Sequence, residues 1–123
     1  MRLTMRMTWS VALAGGVMTL LAGCVTPTHE EAKSAAQSRW QSARTGISYG
    51  QALQHFEVGD FDKASRTISG ALEAMPNNGR YRVLAARIAL EQSKLERAFR
   101  HLEVAVEAEP KLSPAHYYKG VVL

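Results

Sequence analysis

Between residues 43 and 110 the same arrangement of apolar and small residues is written twice. Ala64, Ile68, Ala71 and Pro76 recur as Ala98, Leu102, Ala105 and Pro110; Phe61 recurs as Leu95, and Ala52 as Ala86. The period is 34 residues, and each copy has the spacing of two amphipathic helices joined by a turn. Units of this kind cannot bury their apolar faces alone. They stack, and stacking leaves an extended curved groove. The pattern therefore predicts an all-α superhelix of antiparallel helix pairs, with two full repeats and the start of a third. It directs attention to a binding partner rather than to an active site.

Local signals divide the chain further. Thr28-His29-Glu30-Glu31 reads as a capping box, followed by Ala32, Ala36, Trp40, Ala43 and Ile47 at helical spacing. This predicts an N-terminal helix over 29–45 that either continues into the first repeat or breaks at Thr45-Gly46. Trp40 is expected to cover the open apolar end of the stack or to touch a partner. Repeats are expected over 46–78 and 79–112, with a partial third over 113–123. In the first, helices at roughly 46–58 and 61–75 flank the Gly59-Asp60 turn, with Asp60 as N-cap; Pro76-Asn77-Asn78-Gly79 stops the second helix. In the second, helices at about 79–91 and 95–108 are joined by Ser93-Lys94-Leu95-Glu96, which reads as another capping box. The second of these helices is expected to bury Leu95, Ala98, Phe99, Leu102, Ala105 and Val106. Ser113 is expected to cap the third start, with Pro114 at its first helical position. Gly120 falls on Ala86 and Ala52, where helices pack closely.

The first residues follow a different grammar. Arg2 and Arg6 precede an uncharged stretch, Thr8 to Leu21, that is too short for an ordinary membrane span. Leu21-Ala22-Gly23-Cys24 then resembles the lipobox of bacterial lipoproteins, and Cys24 is the only cysteine. The resemblance implies a signal peptide over 1–23, cleavage before Cys24, a diacylglyceryl thioether on its sulfur, and usually an acyl group on the new amine. Two or more such chains anchor a protein stably, whereas one binds marginally. Residues 24–28 would be the lipidated tether. A bacterial cell envelope is implied, with the outer membrane facing the periplasm as the expected location. A single cysteine rules out an intrachain disulfide.

Composition adds exclusions. The formal charge is +4, and half of it comes from Arg2 and Arg6, so the basic balance does not indicate nucleic acid. There is no aromatic–basic interleaving of the kind a single-strand binder needs. His29, His55, His101 and His116 lack metal-ligand spacing, and no nucleophile elbow or phosphate loop is present. No catalytic residue, metal site or cofactor is expected. Glu91, Glu96, Glu103, Glu107 and Glu109 read as a solvated face.

Over 46–123 these residues resemble the tetratricopeptide repeat family. The matches are Ala52, Gly59, Asp60, Phe61, Ala64, Ile68, Ala71 and Pro76, then Ala86, Leu95, Ala98, Leu102, Ala105 and Pro110. The family's early aromatic is replaced by Ser48 and Arg82, and the leucine before the small position by Gln51 and Ala85. In that family the first helices line the concave surface. The resemblance implies a partner-binding groove of Tyr49, Leu53, Phe56 and Glu57 from repeat one. Repeat two would add Arg80, Val83, Arg87, Leu90 and Glu91, and the partial third Tyr117 and Val121. Positions where some members clamp a carboxylate with Lys and Asn hold Tyr49, Leu53 and Leu84. An extended or helical peptide with apolar anchors, and an acidic group for Arg80 and Arg87, suits the mixed floor. The implied function is a membrane-anchored adaptor or assembly factor. Two other readings stay open: a scaffold that dimerises through the apolar C-terminal edge, and a fragment of a longer array.

Overall fold

The computed structural model describes residues 28–123. The predicted leader and Cys24 lie outside the described residues. Five helices follow in order: α1 (His29–Glu57), α2 (Phe61–Ala74), α3 (Gly79–Glu91), α4 (Leu95–Ala108) and α5 (Ser113–Val122). Among the described residues there is no strand, and each helix packs on the next. Helices α1 and α3 also touch, as do α3 and α5, so the odd-numbered helices form one continuous layer. The fold is all-α, with neighbouring helices packed in pairs.

The 34-residue period extends to the backbone. Helix α2 and helix α4 begin at Phe61 and Leu95 and end at Ala74 and Ala108; α3 and α5 begin at Gly79 and Ser113. Each of these pairs is offset by 34. The turns repeat as well. Gly59 and Ser93 both adopt a left-handed conformation, with φ of 82° and 58°. Their amides donate to Phe56 O and Leu90 O at 3.1 and 2.9 Å. Glycine takes this conformation freely, whereas serine is strained in it. The residues ending α2 and α4, Met75 and Glu109, share φ of −134°.

Small residues set the spacing of the layers. Ala52, Ala64, Ala86, Ala98, Ala105 and Ala115 are all fully buried. They lie where helix backbones come closest, so any added side-chain volume meets a neighbour. The larger buried side chains are Ile68, Leu84, Ile88 and Leu102. Burying each contributes roughly 1.5–3 kcal/mol relative to leaving it in water. Two core clusters result. One is centred on Ala64, Ile68 and Leu84 between α1, α2 and α3, and the other on Ala98, Leu102 and Ala115 between α3, α4 and α5.

Several local expectations need correction. Helix α1 is continuous through Thr45-Gly46 and spans 29 residues. The division near residue 45 is one of packing: residues 29–44 are exposed and project for roughly 24 Å, and Thr45 is the first buried residue of α1. Trp40 lies in this projection and is 72% exposed, so it does not cover the end of the stack. The capping box at Thr28 and Glu31 forms, with both reciprocal bonds present. The one expected at Ser93-Lys94-Leu95-Glu96 does not. Lys94 is the N-cap there, without a side-chain cap bond, because Ser93 is taken up by the left-handed turn. Leu112, not Ser113, caps α5, which puts Pro114 at the second helical position. Leu95 turns outward, and Gly120 faces open space.

Glu109 leaves the expected solvated face altogether. Its Oε1 accepts from the Gly79 amide at 2.8 Å, placing a carboxylate at the N-terminus of α3. A carboxylate there satisfies an otherwise unpaired amide and complements the helix dipole. One repeat earlier the same pair of positions holds Thr45 and Met75, with Thr45 Oγ1 3.1 Å from Met75 Sδ. The Thr45 hydroxyl also donates to Ser42 O at 3.0 Å and accepts from Tyr81 Oη at 3.4 Å. Among the described residues no buried side-chain nitrogen or oxygen lacks a partner.

Candidate peptide-binding surface

The layer of odd-numbered helices carries a shallow concavity of about 370 Å³. Tyr49 of α1, Arg80, Val83 and Arg87 of α3, and Leu112, Pro114 and Tyr118 at the start of α5 line it. On α3 the spacing of 80, 83 and 87 puts three side chains on one face, since residues three and four apart are neighbours. Tyr49 and Tyr118 reach the same face from the flanking helices.

Aromatic contacts stiffen this surface. Tyr49 stacks on Tyr81 with ring centroids 5.1 Å apart and planes at 19°. Phe56 packs against Phe61 at 5.7 Å. The Arg87 guanidinium lies 4.6 Å from the centre of the Phe56 ring and 5.8 Å from that of Tyr118. It therefore bridges the α1 and α5 sides of α3. Arg80 lies 5.8 Å from the Tyr49 ring. Each cation–ring contact of this sort contributes about 0.5–1 kcal/mol at an exposed site. Rings hold the two guanidiniums in place without neutralising them. Among the described residues neither arginine has an ion-pair partner. Their charge and their in-plane N–H donors remain available to whatever enters the concavity.

Of the residues expected to form the groove, Tyr49, Arg80, Val83 and Arg87 meet around one depression. Leu53 and Phe56 are half-buried against the first core cluster, and Leu90 against the second. They support the floor. Glu57 and Glu91 are exposed at the ends of α1 and α3. Tyr117 and Val121 do not join the depression: Tyr117 is 67% exposed, and Tyr118 takes the inward position. The register equates Tyr117 with Val83. Val83 is buried because a further helix packs over it, while no described element packs on that side of α5.

Sequence reasoning missed Tyr81, Leu112, Pro114 and Tyr118. Tyr81 had a visible signal, being an aromatic one place before Arg82, the position where the family that the repeats resemble carries one. The others depend on how α5 lies across α3. Among the described residues no three His, Cys, Asp or Glu side chains converge as metal ligands, and no helix is long and apolar enough to cross a membrane. No protein-family model matches the chain, and no curated protein matches it in sequence.

Proposed function

We propose that this chain is a membrane-tethered adaptor of the bacterial cell envelope, built on tetratricopeptide-type repeats, that binds a peptide segment of another protein and performs no chemistry itself. The observation that carries the reading is the strip in which Arg80 and Arg87 lie against the rings of Tyr49, Phe56 and Tyr118. Unneutralised guanidiniums on an aromatic and aliphatic floor suit a peptide that offers apolar anchors and a carboxylate. The lipobox resemblance at Leu21-Ala22-Gly23-Cys24 supports the tether, with the outer membrane facing the periplasm as the expected site.

A random peptide library panned against the full chain tests the binding half. It should enrich peptides that pair an acid with a bulky apolar residue, and Arg87→Glu should abolish their binding. Enriched peptides that bind Arg87→Glu and Tyr49→Ala as well as the wild type would refute the groove. The tether is tested separately. Cys24→Ser should leave an uncleaved precursor or a protein released to the soluble fraction. An intact Met1 and a free thiol in the wild type, seen by mass spectrometry, would refute it.

A second reading, self-association, is favoured by one observation. Tyr117 and Val121, one turn apart on α5, are exposed large apolar side chains, and Leu123 is exposed just past the helix. Exposed apolar strips of this kind mark interfaces.

A further inference from the structure

A second concavity, of about 510 Å³, lies on another side of the molecule. Arg97, Arg100, His101 and Val104 of α4 line it together with Arg82 of α3. Positions 97, 100, 101 and 104 share one face of α4. Arg82 is two residues from Arg80, and two residues turn a helix by about 200°. The two concavities therefore open on different sides of α3.

We propose that this depression is a binding site for a phosphate group, as a phosphate monoester or diphosphate. Three guanidiniums meet there, and Arg82 is held rigidly. Its Nε donates to Pro76 O at 2.7 Å and its Nη1 to His101 Nδ1 at 3.0 Å. Among the described residues its second terminal nitrogen has no partner. Because His101 accepts at Nδ1, its proton sits on Nε2, which adds a neutral donor. Burial, reinforced by Arg82, Arg97 and Arg100, pushes the His101 pKa down to about 4, so the ring is neutral at physiological pH, and the Arg82 bond selects the tautomer.

The cations are scarcely compensated. Glu96 pairs with Arg100 at 3.1 Å, but both side chains are largely exposed, and such a pair exchanges readily for a stronger anion. Among the described residues Arg97 has no hydrogen-bond or ion-pair partner. Like charges gathered without a counter-charge cost free energy, and a multiply charged oxyanion relieves that cost. Guanidinium forks match phosphate oxygens two at a time, and several forks from different directions suit a tetrahedral group better than a planar carboxylate. Val104 adds an apolar contact for whatever carries the phosphate.

The same chemistry has two sources, a soluble phosphate compound or a lipid headgroup, and the test has an arm for each. The full chain is titrated with pyrophosphate at physiological ionic strength while the His101 ring resonances are followed by NMR. Separately, the full-length Cys24→Ser variant is sedimented with vesicles containing phosphatidic acid. Pyrophosphate should shift the His101 resonances saturably, and Arg97→Gln and Arg82→Gln should each weaken the affinity at least tenfold. Vesicle binding that depends on Arg82 and Arg97, without a pyrophosphate response, would assign the site to a headgroup. Responses matched by sodium chloride of equal ionic strength, pyrophosphate binding that survives both substitutions, or, where pyrophosphate gives no response, vesicle sedimentation unchanged by both substitutions, would overturn the proposal. Arg97 is exposed and bonded to nothing among the described residues, so its variant folds and keeps the test decisive.

Discussion

Leu95 and Leu102 offer a controlled comparison, since they are the same residue type on the same helix, one full heptad apart. Both fall on the apolar face that the repeat pattern assigns to α4. Leu102 is completely buried in the second core cluster, whereas Leu95 is 57% exposed. Truncating a fully buried leucine to alanine costs about 2–5 kcal/mol, because the lost transfer energy is joined by the cost of an unfilled cavity. The neighbours of Leu102 include Ala98 and Ala105, one turn away on either side and both fully buried, which leaves little freedom to collapse into the space. The upper part of the range is therefore expected. At Leu95 less than half the side chain leaves water and no enclosed cavity forms, so the loss is at most about 1 kcal/mol. For a domain of this size each kcal/mol moves the melting midpoint by roughly 4–8 °C. Leu102→Ala should then lower it by at least about 12 °C and Leu95→Ala by a few degrees. Thermal and urea unfolding followed by circular dichroism measures both. Equal losses, or a larger loss at Leu95, would show that α4 is rotated about its axis from the arrangement described.

Other consequences are as direct. Ala64→Trp or Ala98→Trp should cost about 1–3 kcal/mol or more by overpacking a close helix crossing, while Lys63→Ala should stay within about 0.5 kcal/mol; chemical denaturation separates them. Glu109→Ala removes a charge-assisted bond to the Gly79 amide and should destabilise by about 1.5–3 kcal/mol, with faster hydrogen exchange at the first turn of α3. The His101 pKa is lowered from 6.5 to about 4, so the unfolded chain binds more protons between those values. Stability from this group is present above pH 6.5 and is lost as pH falls towards 4. His101→Gln should flatten the pH dependence of unfolding across that window, and an unchanged slope would remove His101 as its source. Val121→Glu with Leu123→Lys should reduce self-association in sedimentation equilibrium, and an identical mass distribution would exclude this edge as an interface.

The 34-residue period, the limits of α2, α3 and α4 and the recurring buried alanines were legible from one sequence. Helix formation and amphipathic spacing are local properties. A small residue recurring at one place in each repeat reports a close backbone crossing, because any larger side chain is excluded there. The capping box at Thr28 and the N-cap at Asp60 lie within three residues of the groups they satisfy, so they too could be read directly.

What the sequence left open depended on the neighbours a helix face meets. Periodicity places a residue on a face to within about 100°, one residue's rotation. That is too coarse to choose between Tyr117 and Tyr118, or to see that Leu95 lies at the margin of its stripe. The inward position at α5 follows from how that helix crosses α3. Glu109 looked like one more solvated carboxylate until the loop before α5 placed it 2.8 Å from an amide thirty positions away. Arg82 and the arginines of α4 are 15 or more positions apart, and nothing in their spacing marks them as a set. Only the antiparallel packing of α3 on α4 brings them to one depression.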